Sequence, residues 1–324
     1  MKKILLPIFL LVFLAACSAK LIKTGDLNGK VKTVKSTIYE AVEKDGKITK
    51  GKGFAPNTRV YIEKENQIEE SWYNSDGSLG GKRVYKYDKK GNLIEESEYD
   101  FDGSLSGQHV YKYDNKGNQI EIGKYDADGR CEWKSVYNYD EKRNLIERYD
   151  FDDSLSSKYV YKYDEKDNLI EESCYNSDGS LSSTRAYKYD KKGNRIEERD
   201  YNSDGSLDRK RINKYDEKDN LIEASGYDSD GDLVFQRDFK YDKKGNRIRE
   251  RIDDEHSKVT RAYKYDKKGN RIEERWWNHR YDVYTYHYTY INEFEFDKKN
   301  NWITKIEYKD DVPKIITVRE IEYY

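Results

Sequence analysis

The middle of the chain alternates. Leu105, Tyr111 and Tyr113 share one parity, as do Leu181, Tyr187 and Tyr189, and most positions between them are Lys, Ser, Arg or Gln. Such alternation predicts β-strands with an apolar-aromatic face and a charged face. The segment Tyr85 to Val110 holds two turn signals half a period apart, Asp88-Lys89-Lys90-Gly91-Asn92 and Asp100-Phe101-Asp102-Gly103-Ser104. Gly near the end of a short polar loop supplies the positive φ of a bulged type I hairpin turn. Asp167 and Asp219 replace that Gly with a residue that tolerates the conformation; Arg143 replaces it without that excuse. One unit is therefore a pair of strands of about eight residues each. Its return strand is less tidy, because Ile94 and Tyr99 have opposite parity, which requires a bulge or a splayed end.

The unit recurs. Asn-x-Ile stands at Asn66/Ile68, Asn92/Ile94, Asn118/Ile120, Asn144/Ile146, Asn168/Ile170, Asn194/Ile196, Asn220/Ile222, Asn246/Ile248, Asn270/Ile272 and Asn301/Ile303, with gaps of 26, 26, 26, 24, 26, 26, 26, 24 and 31 residues. A fixed period in this range means stacked supersecondary units. The 24-residue gaps lose two residues, which keeps every side chain on its face. Roughly 20 strands at ~4.8 Å each would make a sheet about 90 Å wide, and twist would make it curl. The expected fold is all-β: tandem β-hairpin repeats of ~26-residue period in an extended, curled or spiralling antiparallel sheet. The repeated Ile and the Leu/Tyr/Tyr set are expected to carry its inward face.

The recurring Tyr-x-Tyr-Asp-x-x-Gly-Asn-x-Ile, as in Tyr85 to Ile94 and Tyr187 to Ile196, resembles the YD repeat of the RHS family across residues 61 to 303. In that family the repeats form a spiralling strip of hairpins, and long members enclose a toxin in a shell. This sequence has far fewer repeats, and neither the core-closing motif nor a toxin domain is read in it. What the resemblance implies here is the hairpin strip alone.

Composition constrains the partners. The chain of 324 residues is 38% charged and 35% hydrophobic, a balance that suggests disorder until its 32 tyrosines are counted. Tyr buries a large ring while keeping a polar tip, so it can build a thin core in a polar chain. With 61 basic and 63 acidic residues interleaved there is no basic stripe, which argues against nucleic acid as a partner.

Residues 1–17 read MKKILLPIFLLVFLAAC. Lys2 and Lys3 precede an apolar run, Ile4 to Leu14, that is too short for a span of about 20 residues and has secretory length. Leu14-Ala15-Ala16-Cys17 resembles a bacterial lipobox, which implies cleavage before Cys17 and its diacylation. Cleavage removes both lysines and takes the formal charge from -2 to -4. Of the other thiols, Cys131 aligns with Leu79, Leu105 and Leu181, and Cys174 with Glu98 and Asp200. A buried thiol at 131 and an exposed one at 174 is the expectation, with no disulfide between them.

Little points to catalysis. Asp-x-Asp-Gly at Asp100–Gly103, Asp126–Gly129 and Asp228–Gly231 reads as turn chemistry, since an EF-hand glutamate would fall on His109. His109, His256, His279 and His287 have no metal-ligand spacing, and no carboxylate pair is singled out. No cofactor and no metal are expected. The pattern breaks from Trp276 to Phe296, where Trp276, Trp277, Tyr284, Tyr286, Tyr288 and Tyr290 form the candidate platform for a glycan or protein ligand. The alternative there is a modified terminal unit that closes the apolar face.

The expected organisation is a signal peptide over 1–16, a tether over 17–30, an N-terminal hairpin or cap over 31–60, hairpin repeats over 61–275 and an aromatic-rich unit over 276–324. The functional expectation is a non-catalytic lipoprotein of the bacterial envelope, in the outer membrane or at the cell surface, acting as a binding or display module held through Cys17. The alternative is an envelope enzyme or inhibitor that uses the strip as a scaffold.

Overall fold

The computed structural model describes residues 27–324 apart from 55, 62–65, 153, 256–257, 268, 270 and 279–285. These form 23 strands, all in one antiparallel sheet. From β3 (Asn57–Tyr61) to β23 (Val312–Tyr323) each strand pairs with its chain neighbours. β1 (Val31–Lys44) joins the ends of this series. One edge of β1 carries β23, with Val34 opposite Ile321 and Glu40 opposite Ile315. The other edge carries β3, with Thr33 opposite Val60 and Ser36 opposite Asn57. β2 (Lys47–Gly53) pairs only with the far part of β1 and stands outside the ring, which has 22 strands.

The open, spiralling sheet expected from the repeats is thus corrected to a closed barrel. Regularly placed bulges supply the curvature. In all ten copies the Ile of Asn-x-Ile is an extra residue in the ladder: Tyr189 faces Arg195 and Lys188 faces Glu197, leaving Ile196 between them. A second bulge follows the other turn, where Tyr201 faces Leu207 and Asp200 faces Arg209. Bulges bend the strand and raise its local twist, so two in most units curl the sheet; the pairings of Arg247–Asp254 with Lys258–Tyr265 and of Arg271–Asn278 with Tyr286–Phe296 lack the second one. At ~4.8 Å per strand the ring is about 105 Å around, roughly 17 Å in radius before strand tilt is added. Substantial strand-to-strand contact occurs only between ladder neighbours, so the wall is one sheet thick and does not fold back on itself.

The bulge also corrects the face assignment. Ile170, Ile222 and Ile248 are each 37% exposed, whereas Leu93, one residue before its Ile, is buried. The repeated Ile therefore does not carry a buried face. One face, here the tyrosine face, holds Tyr85, Tyr187 and Tyr263, all buried, together with Glu and Arg side chains. The opposite, lysine face repeats a directly opposed pair: Lys86 with Glu95, Lys112 with Glu121, Lys162 with Glu171, Lys188 with Glu197, Lys214 with Glu223 and Lys264 with Glu273. The thiols are the reverse of the expectation. Cys131 is exposed at a strand start beside a turn, and Cys174 is half-buried opposite Tyr159; both are free.

Turns follow the sequence closely. Asp88 Oδ1 accepts from the amides of Lys90 and Asn92, and Asn92 Nδ2 donates to Asp88 Oδ2 at 2.8 Å. Gly91 has φ 90°, and Asp167, Asp219 and Arg143 take the same left-handed place at 63°, 65° and 76°. The aspartates offset that strain with contacts between turns: Asp219 accepts from Lys192 Nζ and Asn194 Nδ2, both at 2.9 Å, and Asp167 from Lys142 Nζ at 2.9 Å.

The second tyrosine of Tyr-x-Tyr ties each unit to the one before. Its hydroxyl donates to the carbonyl left at the end of the previous ladder, beside the bulge: Tyr113 to Leu93, Tyr139 to Gln119, Tyr189 to Leu169 and Tyr241 to Leu221, at 2.7–2.9 Å. At the seam the same work falls to other residues. Val31 and Val34 are buried with Leu27, Ile321 and Tyr323 packed against them. Asn301, 2% exposed, accepts from the amide of Asn28 and donates to its carbonyl, 273 residues away in the chain.

Closure predicts how deletions behave. An antiparallel ring needs an even number of strands. Removing 26 residues, Tyr187 to Ile212, should leave a closed, soluble barrel two strands smaller. Removing 13 residues should leave an odd number, set β1 parallel to β23 and expose the seam edges, giving aggregates in size-exclusion chromatography. Equal behaviour of the two variants would contradict the closed ring.

The tyrosine ties predict an alkaline limit. Burial pushes the pKa of Tyr113, Tyr139 and Tyr163 up to about 12. Their unfolded value is about 10, so the folded wall favours the neutral hydroxyl. That contribution is complete below about pH 10 and is lost as pH rises towards about 12. Strand circular dichroism should hold to about pH 9.5 and then fall together with the rise of tyrosinate absorbance. Tyrosinate formation near pH 10 with the strand signal intact would remove the ties from the account.

Candidate functional site

Strands of the tyrosine face bring arginine and glutamate into one girdle. Two residues before the first position of the Tyr-x-Tyr pattern comes an Arg in five copies, Arg83, Arg185, Arg211, Arg237 and Arg261; two residues after the Ile of the return strand comes a Glu in six of the ten copies. The register sets them directly opposite: Glu70 with Arg83, Glu172 with Arg185, Glu198 with Arg211 and Glu250 with Arg261. Acids on the far side of the Arg complete the coordination. Arg83 reaches Glu96 and Glu98, each at 3.0 Å, and Arg185 reaches Asp200 at 2.5 Å and Glu198 at 3.5 Å. Burial works against the charge of Arg83 and Arg185, but these acids more than offset it and raise both pKa values. Arg211 goes the other way. Burial lowers it, Glu198 offsets this only in part, and Arg195 and Arg237 add repulsion.

Sequence reading missed this girdle. The signal was available in two columns of the aligned copies, 13 residues apart in Glu70–Arg83, Glu172–Arg185 and Glu198–Arg211, but the bulge between them hides which residues stand opposite until the register is known.

The sequence-predicted platform is dispersed. Trp276 and Trp277 lie in β20 (Arg271–Asn278), Trp276 opposite Arg261 and Trp277 opposite Thr260, so consecutive rings fall on opposite faces of the sheet. Arg261 lies over the Trp276 ring at 5.9 Å. In β21 (Tyr286–Phe296) Tyr288 stands opposite Trp276, Tyr286 opposite Asn278, and Tyr290, 40% exposed, opposite Glu274. Tyr284 and Cys17 lie outside the described residues. Elsewhere a cleft of about 320 Å³ is lined by Trp133, Lys134, Ser135, Asp150 and Phe151 among others. Of its acids Glu132, Asp150 and Asp152, Asp150 accepts from Ser135 Oγ at 2.6 Å and from Arg148 at 2.7 Å, and Glu132 pairs with Lys124 at 2.5 Å. The Asp-x-Asp-Gly carboxylates are likewise used by their turns: Asp102 Oδ1 accepts from the amide and hydroxyl of Ser104, and Asp126 Oδ1 from the amides of Asp128 and Arg130.

The two rims differ in charge. In the eight fully described Asp-x-x-x-Asn turns, thirteen Lys and Arg balance thirteen Asp and Glu. In the six five-residue turns of the opposite rim that begin at 74, 100, 126, 176, 202 and 228, ten acidic residues face Arg130 alone. The chain enters at the neutral rim, where Asn28 contacts the turn at Asn300 and Asn301. The β1–β2 hairpin projects at the acidic one.

No family model matches the chain, and no curated protein matches it. Among solved structures, one of the Photorhabdus luminescens Tc holotoxin pore is similar at 13% identity and TM-score 0.30, covering 81% of this chain and 19% of that one. A crystal structure of TcdB2-TccC3-TEV is similar at 12% identity and TM-score 0.31, covering 86% of this chain and 19% of that one. The chain thus spans about a fifth of the length of the toxin chains it matches. A porin-like protein from Bacteroides uniformis is similar at 12% identity and TM-score 0.27, with 91% of this chain and 98% of that one covered. Similarity at these scores does not decide what this wall does; its own side chains do. A lipid-facing barrel wall presents a continuous apolar band outward. Here Lys and Glu recur on one face of nearly every unit and Arg and Glu on the other.

The girdle makes a direct prediction. Glu198 has a side chain 19% exposed among Arg185, Arg195 and Arg211. Its replacement by Ala should cost about 1 kcal/mol or more, because it removes the acid that Arg185, Arg195 and Arg211 share, two of them only partly shielded from water. Ile196→Ala, at a bulge, should cost less. Denaturant melts showing the larger loss for Ile196→Ala would restore the face assignment made from parity.

Proposed function

We propose that this chain is a non-catalytic envelope lipoprotein, a short YD-repeat strip closed into a ring and used for binding or display. The observation that carries the reading is the polarity of the barrel. The chain enters at the neutral rim, and the acidic rim and the projecting hairpin lie at the far end. With an acyl anchor at Cys17, residues 18–26 would reach at most about 30 Å. The neutral rim then lies next to the membrane, and the acidic rim points away from a surface that itself carries negative charge. Both faces of the wall are polar and reachable, since no second layer covers either of them. That suits contact with large or extended ligands better than enclosure of a small substrate.

Metabolic labelling with an alkynyl fatty acid tests the anchor. The wild-type chain should be labelled and pellet with membranes. Cys17→Ser should be unlabelled and recovered in the soluble fraction or as uncleaved precursor. Equal labelling of the two overturns the anchored reading.

A further inference from the structure

One unit of the ring is cut short, and the cut opens a cleft. Between Tyr125 and its partner Cys131 the turn holds five residues, as it does between Tyr175 and Leu181; between Phe151 and its partner Leu155 it holds three. The acidic rim therefore steps down at β10 (Leu145–Asp152) and β11 (Ser154–Tyr163). The ladder from β9 (Cys131–Tyr139) to β10 stops at Lys134 with Phe151, whereas the ladder one unit earlier continues to Gly107 with Asp126. Trp133 stands just past that stop. In other units its column holds Gly81, Gly107, Ser157 and Ser183, small residues that each face a strand partner. Here a large ring stands where the ladder has ended, and it lines the cleft of about 320 Å³ together with Asp152.

The lining is mixed. His109 packs against the indole of Trp133 with ring centres 5.9 Å apart, and Trp133 stays 36% exposed. Lys134 Nζ lies over the Phe151 ring at 5.0 Å. Ser135 Oγ donates to the Asp150 carboxylate at 2.6 Å and Ser156 Oγ to the Asp150 carbonyl at 2.9 Å, so each hydroxyl keeps lone pairs for a further donor. The carboxylate of Asp152 has no partner among the described residues. Charges balance in sign: Glu132 is paired with Lys124 and Asp150 with Arg148, which leaves Lys134 to offset Asp152.

We propose that this cleft binds a neutral sugar ring of an extended glycan. A pyranose presents an apolar face of C–H groups, which an exposed indole covers with a large, rigid area. Its edge carries hydroxyls that both donate and accept. They match the Asp152 and serine oxygens on one side and the Lys134 ammonium on the other. The local balance of charge favours a neutral ligand over an ion. The volume sits at the low end of ligand sites, about 300–1,000 Å³, and suits one ring gripped from the side while the glycan continues along the rim. This inference rests on the binding-module reading, yet its test needs neither anchor nor membrane, so either idea can fail without the other.

The test is isothermal titration calorimetry of the full chain, held in a detergent without a sugar headgroup, against maltotriose, cellotriose and mannotriose. At least one should bind, with little change as salt rises. Trp133→Ala should weaken that binding about tenfold or more. Phe101→Ala, which removes a 71% exposed ring from a neighbouring rim turn, should leave affinity unchanged. Asp152→Ala should weaken binding, and Asp152→Asn, whose amide oxygen still accepts, should recover most of it. The Asp152 variants carry the test alone if Trp133→Ala does not fold. Binding of none of the three sugars, wild-type affinity in folded Trp133→Ala, or wild-type affinity in Asp152→Ala overturns the proposal. Tighter binding of hexaarginine than of any of these sugars, lost in Asp152→Asn, overturns the choice of a neutral ligand.

Discussion

A wall one sheet thick has no interior of its own, and this one hides neither face from water. Ten apolar residues in the described structure are buried, and they are scattered around the ring rather than gathered into a core. Apolar burial on that scale cannot by itself offset the entropy of ordering some three hundred residues. The backbone ladder and its side-chain ties must carry much of the stability, and a ladder with free ends frays and recruits other chains. The union of β1 with β23 removes those ends. It is built more densely than the rest of the wall: buried Val31 and Val34, the Asn28–Asn301 exchange, and Lys32 paired with Glu322 at 2.8 Å.

The repeat prepares that union without encoding it. Most units contribute two bulges and hence a recurring increment of curvature. The carbonyl left beside the first bulge is then taken up by the tyrosine of the next unit. The polar device therefore does two things, since the same irregularity that bends the sheet creates the acceptor that locks adjacent hairpins together. Lys and Glu pairs on the opposite face are exposed on the lysine side and contribute little individually. Their effect is to keep that face soluble and the register unambiguous.

Local chemistry was legible in the sequence, and long-range chemistry was not. Asp88, Gly91 and Asn92 announced their turn, and the opposite parity of Ile94 and Tyr99 announced a bulge. Assigning Ile196 to the buried face failed because the parity argument was carried through the bulge instead of being restarted after it. The register instead sets Glu198 on the tyrosine face, directly opposite Tyr187. Closure was out of reach because it depends on residues 31–40 meeting 315–323, and a repeating pattern carries no information about which of its ends meet. The aromatic segment after Trp276 looked like one surface in the sequence, but two adjacent strand residues cannot share a face.

Repetition also changes where specificity can reside. A side chain that recurs in most copies is explained by the wall: Glu at the girdle neutralises Arg, and Asp at the turn caps the backbone. Such residues form an averaged surface with no preferred place for a ligand. Information enters where one member of a coupled pair changes and its partner does not. Loss of both, as at Ile122 with Ser135, restores neutrality and leaves nothing to recognise. Loss of the acid alone, as at Ala224, leaves Arg237 facing no carboxylate, at an exposed position where water solvates its charge. In a protein built of near copies, the places where one half of an internal pair changes alone are therefore where the surface departs from its average.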